Sequence, residues 1–250
     1  MYGEPLPTTS ALQVFTAEER PDLWIRADAL SEVWPEYNNH GNHSGTYFGS
    51  LIPTFGHLQV VIYEPKGDEV VARGRSIPFQ WDGTLADLPD GIDAAGLRSL
   101  AGEASPNTLS ALAAEVADRV RGRGVSRLVI EALASIARRN GLSSLVAPVR
   151  PSWKDRYPLI PIEEYAYWKR PDGLPFDPWM RVHARLGATI LRPEPRSLMI
   201  NASVSDWESW TDMAFPADGT YTFPFGLAPL HVRDGTGLYW EPNVWMLHAV

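Results

Sequence analysis

The 250 residues contain no cysteine. That removes disulfides, thiolate metal centres and a cysteine nucleophile at once. No lysine or arginine precedes position 20, so no basic leader stands before an apolar stretch, and no apolar run approaches a membrane-spanning length. A cytoplasmic protein without membrane contact is the expectation. Gly-Lys-Ser/Thr is missing, which excludes a P-loop, and without Gly-x-Ser-x-Gly a serine-hydrolase elbow has no support. Positive charge is scarce. Lys and Arg number 22 against 30 Asp and Glu, a formal net charge of -8 that argues against broad binding to nucleic-acid backbone. His40-Gly-Asn-His43 has ligand-like spacing but no third ligand near it in sequence, so no metal is expected. Ten Trp and 22 Pro, within a 44% hydrophobic composition, point to a sizeable core, aromatic-lined pockets and long rigid loops.

The chain is organised around residues 115–141. An apolar run, Leu109 to Val116, suits a buried strand. Arg-Gly-Arg-Gly (Arg121 to Gly124) then turns the chain into a helix whose Val125, Leu128, Val129, Ala132, Leu133, Ile136 and Ala137 share one face. Arg138 and Arg139 suit its last turn, and Asn140-Gly141 is a stop signal. Strand, glycine-rich turn and helix N-terminus together make an anion site, because free N–H groups and the positive dipole end point at the ligand. Arg119, Arg121, Arg123 and Arg127 crowd one short segment of an acidic protein, which favours a bound anion over an ordinary solvated loop. A Rossmann loop is ruled out by Arg127, which stands where the third glycine belongs.

What remains resembles the acyl-CoA pyrophosphate loop of the GNAT (N-acetyltransferase) superfamily, Arg/Gln-x-x-Gly-x-Gly/Ala. Two registers fit, Arg119-x-x-Gly122-x-Gly124 and Arg121-x-x-Gly124-x-Ser126. The second is preferred because Val116 then falls five residues before the arginine, although Ser126 departs from the pattern. The resemblance implies an α/β (α+β) fold with a mixed sheet and splayed central parallel strands. It implies acetyl-CoA or another acyl-CoA as donor, held by Val116, Arg121, Gly122, Arg123, Gly124, Val125 and Ser126. His183-Ala-Arg-Leu-Gly187 lies on the family's Tyr-x-x-Leu-Gly segment, whose Tyr often protonates the leaving thiolate. His183 stands in its place. The closing block, Tyr239-Trp-Glu-Pro-Asn-Val-Trp245, resembles actinobacterial GNAT-like proteins.

Elsewhere the pattern predicts a first strand at 11–15, then a helix capped by Thr16, interrupted at Pro21 and reaching about Trp34. A loop follows at 34–41, which by the resemblance is part of an acceptor pocket. Leu58 to Tyr63 and Val70 to Ile77 read as a hairpin across the turn at 65–68. Residues 85–107 read as an insert with a short helix at 93–100. Ser144 to Val149 is the next strand, and Pro148 requires it to lose a neighbour there. A helix at 178–186 precedes a closing strand pair, 189–191 with 197–204. Residues 1–204 are taken as the acyltransferase domain and 205–250 as an extension packed on it.

The expected reaction is direct attack of a small primary amine on the thioester, acetyl first among acyl groups. Glu115 and Glu36 are the candidate bases and His183 the candidate acid, with backbone N–H groups near Val116 holding the oxyanion. A carrier protein or aminoacyl-tRNA as donor, a non-catalytic acyl-CoA sensor and a homodimer stay open.

Overall fold

The computed structural model describes residues 6, 7, 9, 11–102 and 105–250, so part of the expected N-terminal lead lies outside the described residues. The strands are β1 (Gln13–Thr16), β2 (Val60–Glu64), β3 (Glu69–Phe79), β4 (Thr108–Val116), β5 (Ser144–Val149), β6 (Thr189–Ser203), β7 (Gly219–Tyr221), β8 (Leu230–Arg233) and β9 (Thr236–His248). Among the described residues these nine form one mixed sheet in the order β1-β2-β3-β4-β5-β9-β8-β7, with β6 paired to β9. The helices are α1 (Pro21–Arg26), α2 (Ser44–Phe55), α3 (Gly91–Leu100), α4 (Val125–Arg139), α5 (Ile162–Tyr165), α6 (Pro178–Arg185) and α7 (Val204–Thr211).

Strand alternation separates two cores. One face of the sheet packs under α4, with Val71, Leu109, Val116, Leu145, Ala147, Val244 and Met246 against Val129, Leu133 and Ile136. Each fully buried Leu, Ile or Val there contributes about 1.5–3 kcal/mol. The other face is aromatic, with Tyr37, Tyr47, Phe79, Trp207, Tyr239 and Trp245.

β4 and β5 pair in parallel at only three positions, Thr108 with Ser144, Leu109 with Leu145 and Ser110 with Val146. Beyond them the strands part before reaching Pro148, as the proline requires. β9 fills the far side of β5, from Leu145–His248 to Val149–Val244. Its opposite edge carries β6, and β8 takes the edge shared with β5 near Thr236–Leu238.

Several expectations are corrected. Pro21 begins α1 rather than interrupting a longer helix, since its missing N–H costs nothing at a first turn. Thr16 ends β1 and exchanges two hydrogen bonds with Glu19 (2.8 and 3.1 Å). α2 fills a stretch for which no element was expected; its Gly45, Gly49 and Pro53 hid it. Residues 189–191 and 197–204 do not pair with each other but belong to one long β6 on β9. The C-terminal stretch expected to lie on the domain as an extension supplies β7, β8 and β9 to the same sheet, with β9 inside it.

Candidate active site

A cleft of about 620 Å³ opens where β4 and β5 part. Its walls are Ala111–Ala114 and Val116 on one side and Ala147–Arg150 on the other. Val120, Arg121, Gly122, Val125 and Ser126 line one end, and α6 adds Pro178, Trp179, Val182 and His183. Gly122 and Gly124 sit at φ +77° and +80°, a left-handed backbone that side chains resist, with open space where a Cβ would lie. Gly124 is the N-cap of α4 and offers no side chain to the first-turn N–H groups. A helix end left uncapped beside a cleft is an anion seat. The basic cluster around it is mostly paired: Arg119 with Glu64 (3.2 Å), Arg121 with Asp118 (2.8 Å) and Arg127 with Glu131 (2.8 Å). Of the anion-site residues anticipated from sequence, Val116, Arg121, Gly122, Val125 and Ser126 line the cleft, whereas Arg123 and Gly124 sit in the turn itself.

A second cavity of about 230 Å³ lies on the aromatic face. Trp34, Leu112, Ala113, Pro148 and Arg150 line both cavities, so the two meet at the parted strands. Leu112 is also the extra residue of a bulge, because Arg75 faces Ala113 and Ser76 faces Ala111. Bulges re-aim side chains and leave a residue outside the ladder. The meeting point thus lies at Leu112–Ala113, about 13 Å along the strand from Val116, where the oxyanion donors were expected.

Glu115 is 1% exposed and lines the second cavity. Its Oε2 accepts from Arg73 Nε, and its Oε1 takes Trp34 Nε1 (2.8 Å) and Arg75 (3.3 Å). Arg73 continues to Asp28 (2.8 Å) and Ser31 (2.7 Å). Glu36, the other candidate base, is exposed and lines neither cavity; it holds His40 at 2.9 Å, which stacks on Trp210. On the opposite wall stand Glu241 and Asn243, which the sequence reading missed. Glu241 accepts from Arg150 and from the Tyr239 hydroxyl, with Asn38 at 3.5 Å. The signal available was one carboxylate flanked by aromatics in Tyr239-Trp-Glu-Pro-Asn-Val-Trp245. Four buried polar atoms in these walls have no protein partner: Asp155 Oδ1 and His183 Nε2 in the cleft, Asn38 Oδ1 and Arg75 Nε beside the second cavity. Buried polar groups are rarely left so, and a ligand's donors and acceptors are the natural complement.

His183 is placed by the cap of its helix. Asp177 accepts from Trp179 N (2.9 Å) and Met180 N (3.1 Å), and its other oxygen holds Trp153 N and Tyr165. His183 is 1% exposed, packs edge-on against Trp179, and meets His248 Nε2 through Nδ1 at 2.8 Å. Burial, and then His248, push it down to about 3; burial alone brings His248 to about 4. Both rings are therefore neutral at pH 7, which works against an imidazolium acid. An unfolded histidine charges below about pH 6.5 while the folded pair refuses protons, so stability held above pH 6.5 is lost as pH falls toward 4 and 3. Lowering the pH from 7 to 4.5 should remove about 2 kcal/mol per histidine. Urea unfolding at both pH values checks this, and a His183→Gln/His248→Gln protein should show a smaller drop between them.

No family model matches the chain. An arginine N-acetyltransferase (avaD) of Aspergillus versicolor is 34% identical to it, over 99% of this chain and 97% of that protein.

The chain belongs to the GNAT N-acetyltransferase superfamily.

It is an N-acyltransferase. Solved structures agree on the fold. The loading GNATL domain of CurA from Lyngbya majuscula superposes with a TM-score of 0.62 at 18% identity, covering 95% of this chain and 96% of that one. The GphF GNAT-like decarboxylase, solved with isobutyryl-CoA, gives 0.59 at 19% identity, covering 95% and 98%. Acyl-CoA is this enzyme's donor. Among the described residues no three His, Asp or Glu side chains are grouped to hold a metal, and no helix is long and apolar enough to cross a membrane.

Proposed function

We propose that this enzyme moves an acyl group, acetyl first, from acyl-CoA to the amine of a small molecule by direct attack. The observation that carries the reading is the meeting of two cavities from opposite faces of the sheet at Leu112–Ala113. A donor and an acceptor entering separately reach contact only there. The pyrophosphate lies at the Arg121–Ser126 turn. The pantetheine runs along the open edge of β4, whose backbone groups past Ser110 have no β5 partner and can pair with its amides. The thioester carbonyl then lies by the bulge at Leu112, which stands outside the ladder register and whose backbone N–H we assign to the oxyanion.

The nitrogen lone pair attacks the carbonyl carbon, the C–S bond breaks, and the amine proton leaves for solvent or a wall carboxylate. The thiolate is a fair leaving group, since a thiol of pKa about 8.5 needs little help. We assign His183 a hydrogen bond to the thiolate through its neutral ring. The second cavity, smaller than the roughly 300–1,000 Å³ of drug-sized pockets, suits a small acceptor. The relative's name makes arginine the first amine to try.

The test is thiol release on mixing acetyl-CoA with arginine and a panel of primary amines, with product mass measured. Release with formation of an N-acetyl product supports the reading. Tight CoA binding without turnover on any amine points instead to a sensor, and turnover only from a carrier-bound thioester points to a carrier-fed transferase.

A further inference from the structure

We propose that Phe225 is a specificity-determining residue that walls the acyl end of the donor cleft and restricts the enzyme to short acyl groups. The proposal rests on the reading of that cleft as the acyl-CoA site.

Phe225 departs from ordinary chain behaviour in two ways. Its φ is +63°, a region that side chains other than Asn, Asp and His seldom enter, and its ring is 62% exposed. The backbone is nevertheless fastened on both sides. Its carbonyl accepts from Tyr37 Oη (2.8 Å) and Arg150 (2.9 Å). Two residues on, Leu227 N donates to Tyr239 Oη (2.9 Å) and Leu227 O accepts from Lys154 Nζ (2.6 Å). A segment held by the buried Tyr37, Tyr239 and Lys154 and the half-buried Arg150 fixes the backbone from which the ring projects. Strain and exposure held in place by their surroundings are the marks of a functional position.

The ring's position picks out which end of the cleft it serves. Phe225 lines the cleft, and its carbonyl is bonded to Arg150, which lines both cavities. Tyr37, the other donor, precedes Asn38 in the wall of the acceptor cavity. The pyrophosphate turn at Arg121–Ser126 belongs to the other end. The ring therefore stands beside the thioester, where a short acyl chain fits under it and a long one meets it.

Removing the ring without disturbing the backbone is possible, because Gly and Asn both accept positive φ. Calorimetry should compare acetyl-CoA with octanoyl-CoA on the wild type, Phe225→Gly and Phe225→Asn. The expected result is a gain of at least tenfold in octanoyl-CoA affinity relative to acetyl-CoA in both variants, with melting temperatures near the wild type. An unchanged ratio in folded variants overturns the proposal, as does a wild type that already prefers octanoyl-CoA beyond either variant. A wild type that binds neither thioester defeats the donor reading itself, and the proposal with it.

Discussion

Gly124→Asp is expected to weaken CoA binding by about a hundredfold or more, below detection in most calorimetric formats. Two effects add. The residue caps the helix end where the diphosphate belongs, with open space where a Cβ would lie, so a side chain there enters the anion's seat. A carboxylate at that point also repels the diphosphate and occupies the positive end of α4 in its place. Gly124→Asn is the control, since asparagine shares the size and the tolerance of this backbone without the charge. Its loss should be clearly smaller. Arg123→Ala, which removes one charge from the turn and leaves the backbone cradle, should cost about 1–2 kcal/mol. Equal CoA affinity in wild type and a folded Gly124→Asp protein would remove the turn from the donor site.

Glu115→Gln is expected to destabilise the protein strongly, whatever it does to catalysis. The carboxylate lies between Arg73, which is 1% exposed, and Arg75, with Trp34 on the same oxygen. Taking one partner from a buried ion pair costs about 3–5 kcal/mol, because the cations left behind lose the charge that offset their burial. For a chain of this length that lowers the melting temperature by roughly 10 °C. Burial presses on Arg75 first, and Glu115 is the charge that opposes it. Thermal melting and turnover should be read together. A variant that keeps its melting temperature and loses kcat makes Glu115 the base after all, while a large fall in melting temperature makes it the brace of the acceptor wall.

The central strand, turn and helix were legible because their signals are local. A run at 109–116, two glycines and a 3.6-residue apolar stripe each mean the same thing at one place, and α4 (Val125–Arg139) follows them to the residue. The parting of β4 from β5 was legible from one proline. β9 was not legible, since Tyr239-Trp-Glu-Pro-Asn243 carries a turn-like core and a residue that cannot donate to a ladder. The sheet accommodates it by placing Pro242 opposite the irregularity in β6 between Glu194 and Leu198, and beyond the reach of both β8 and β5. Glu36 misled for a related reason. Position in an acceptor-side loop says which segment is near, but a short helical turn at Glu36–His40 aims alternate residues apart, sending Tyr37 inward and Glu36 to solvent. No local pattern joins Glu115 to Glu241, His183 to His248 or Phe225 to Arg150; only the tertiary fold does.

The placement of β9 also governs how the molecule can be born. β5 waits for its antiparallel neighbour until Val244–His248 has been made, close to a hundred residues later, and β6 pairs along the same late strand. Pairing across such separations is slow to close. During synthesis at about 5–20 residues per second, β5 therefore spends several seconds with one bare edge and the donor cleft with half its frame missing. Folding should be all-or-none around β9, and ribosome-bound chains arrested before residue 236 should fail to protect β5 amides from exchange while those extended past residue 248 and clear of the tunnel succeed.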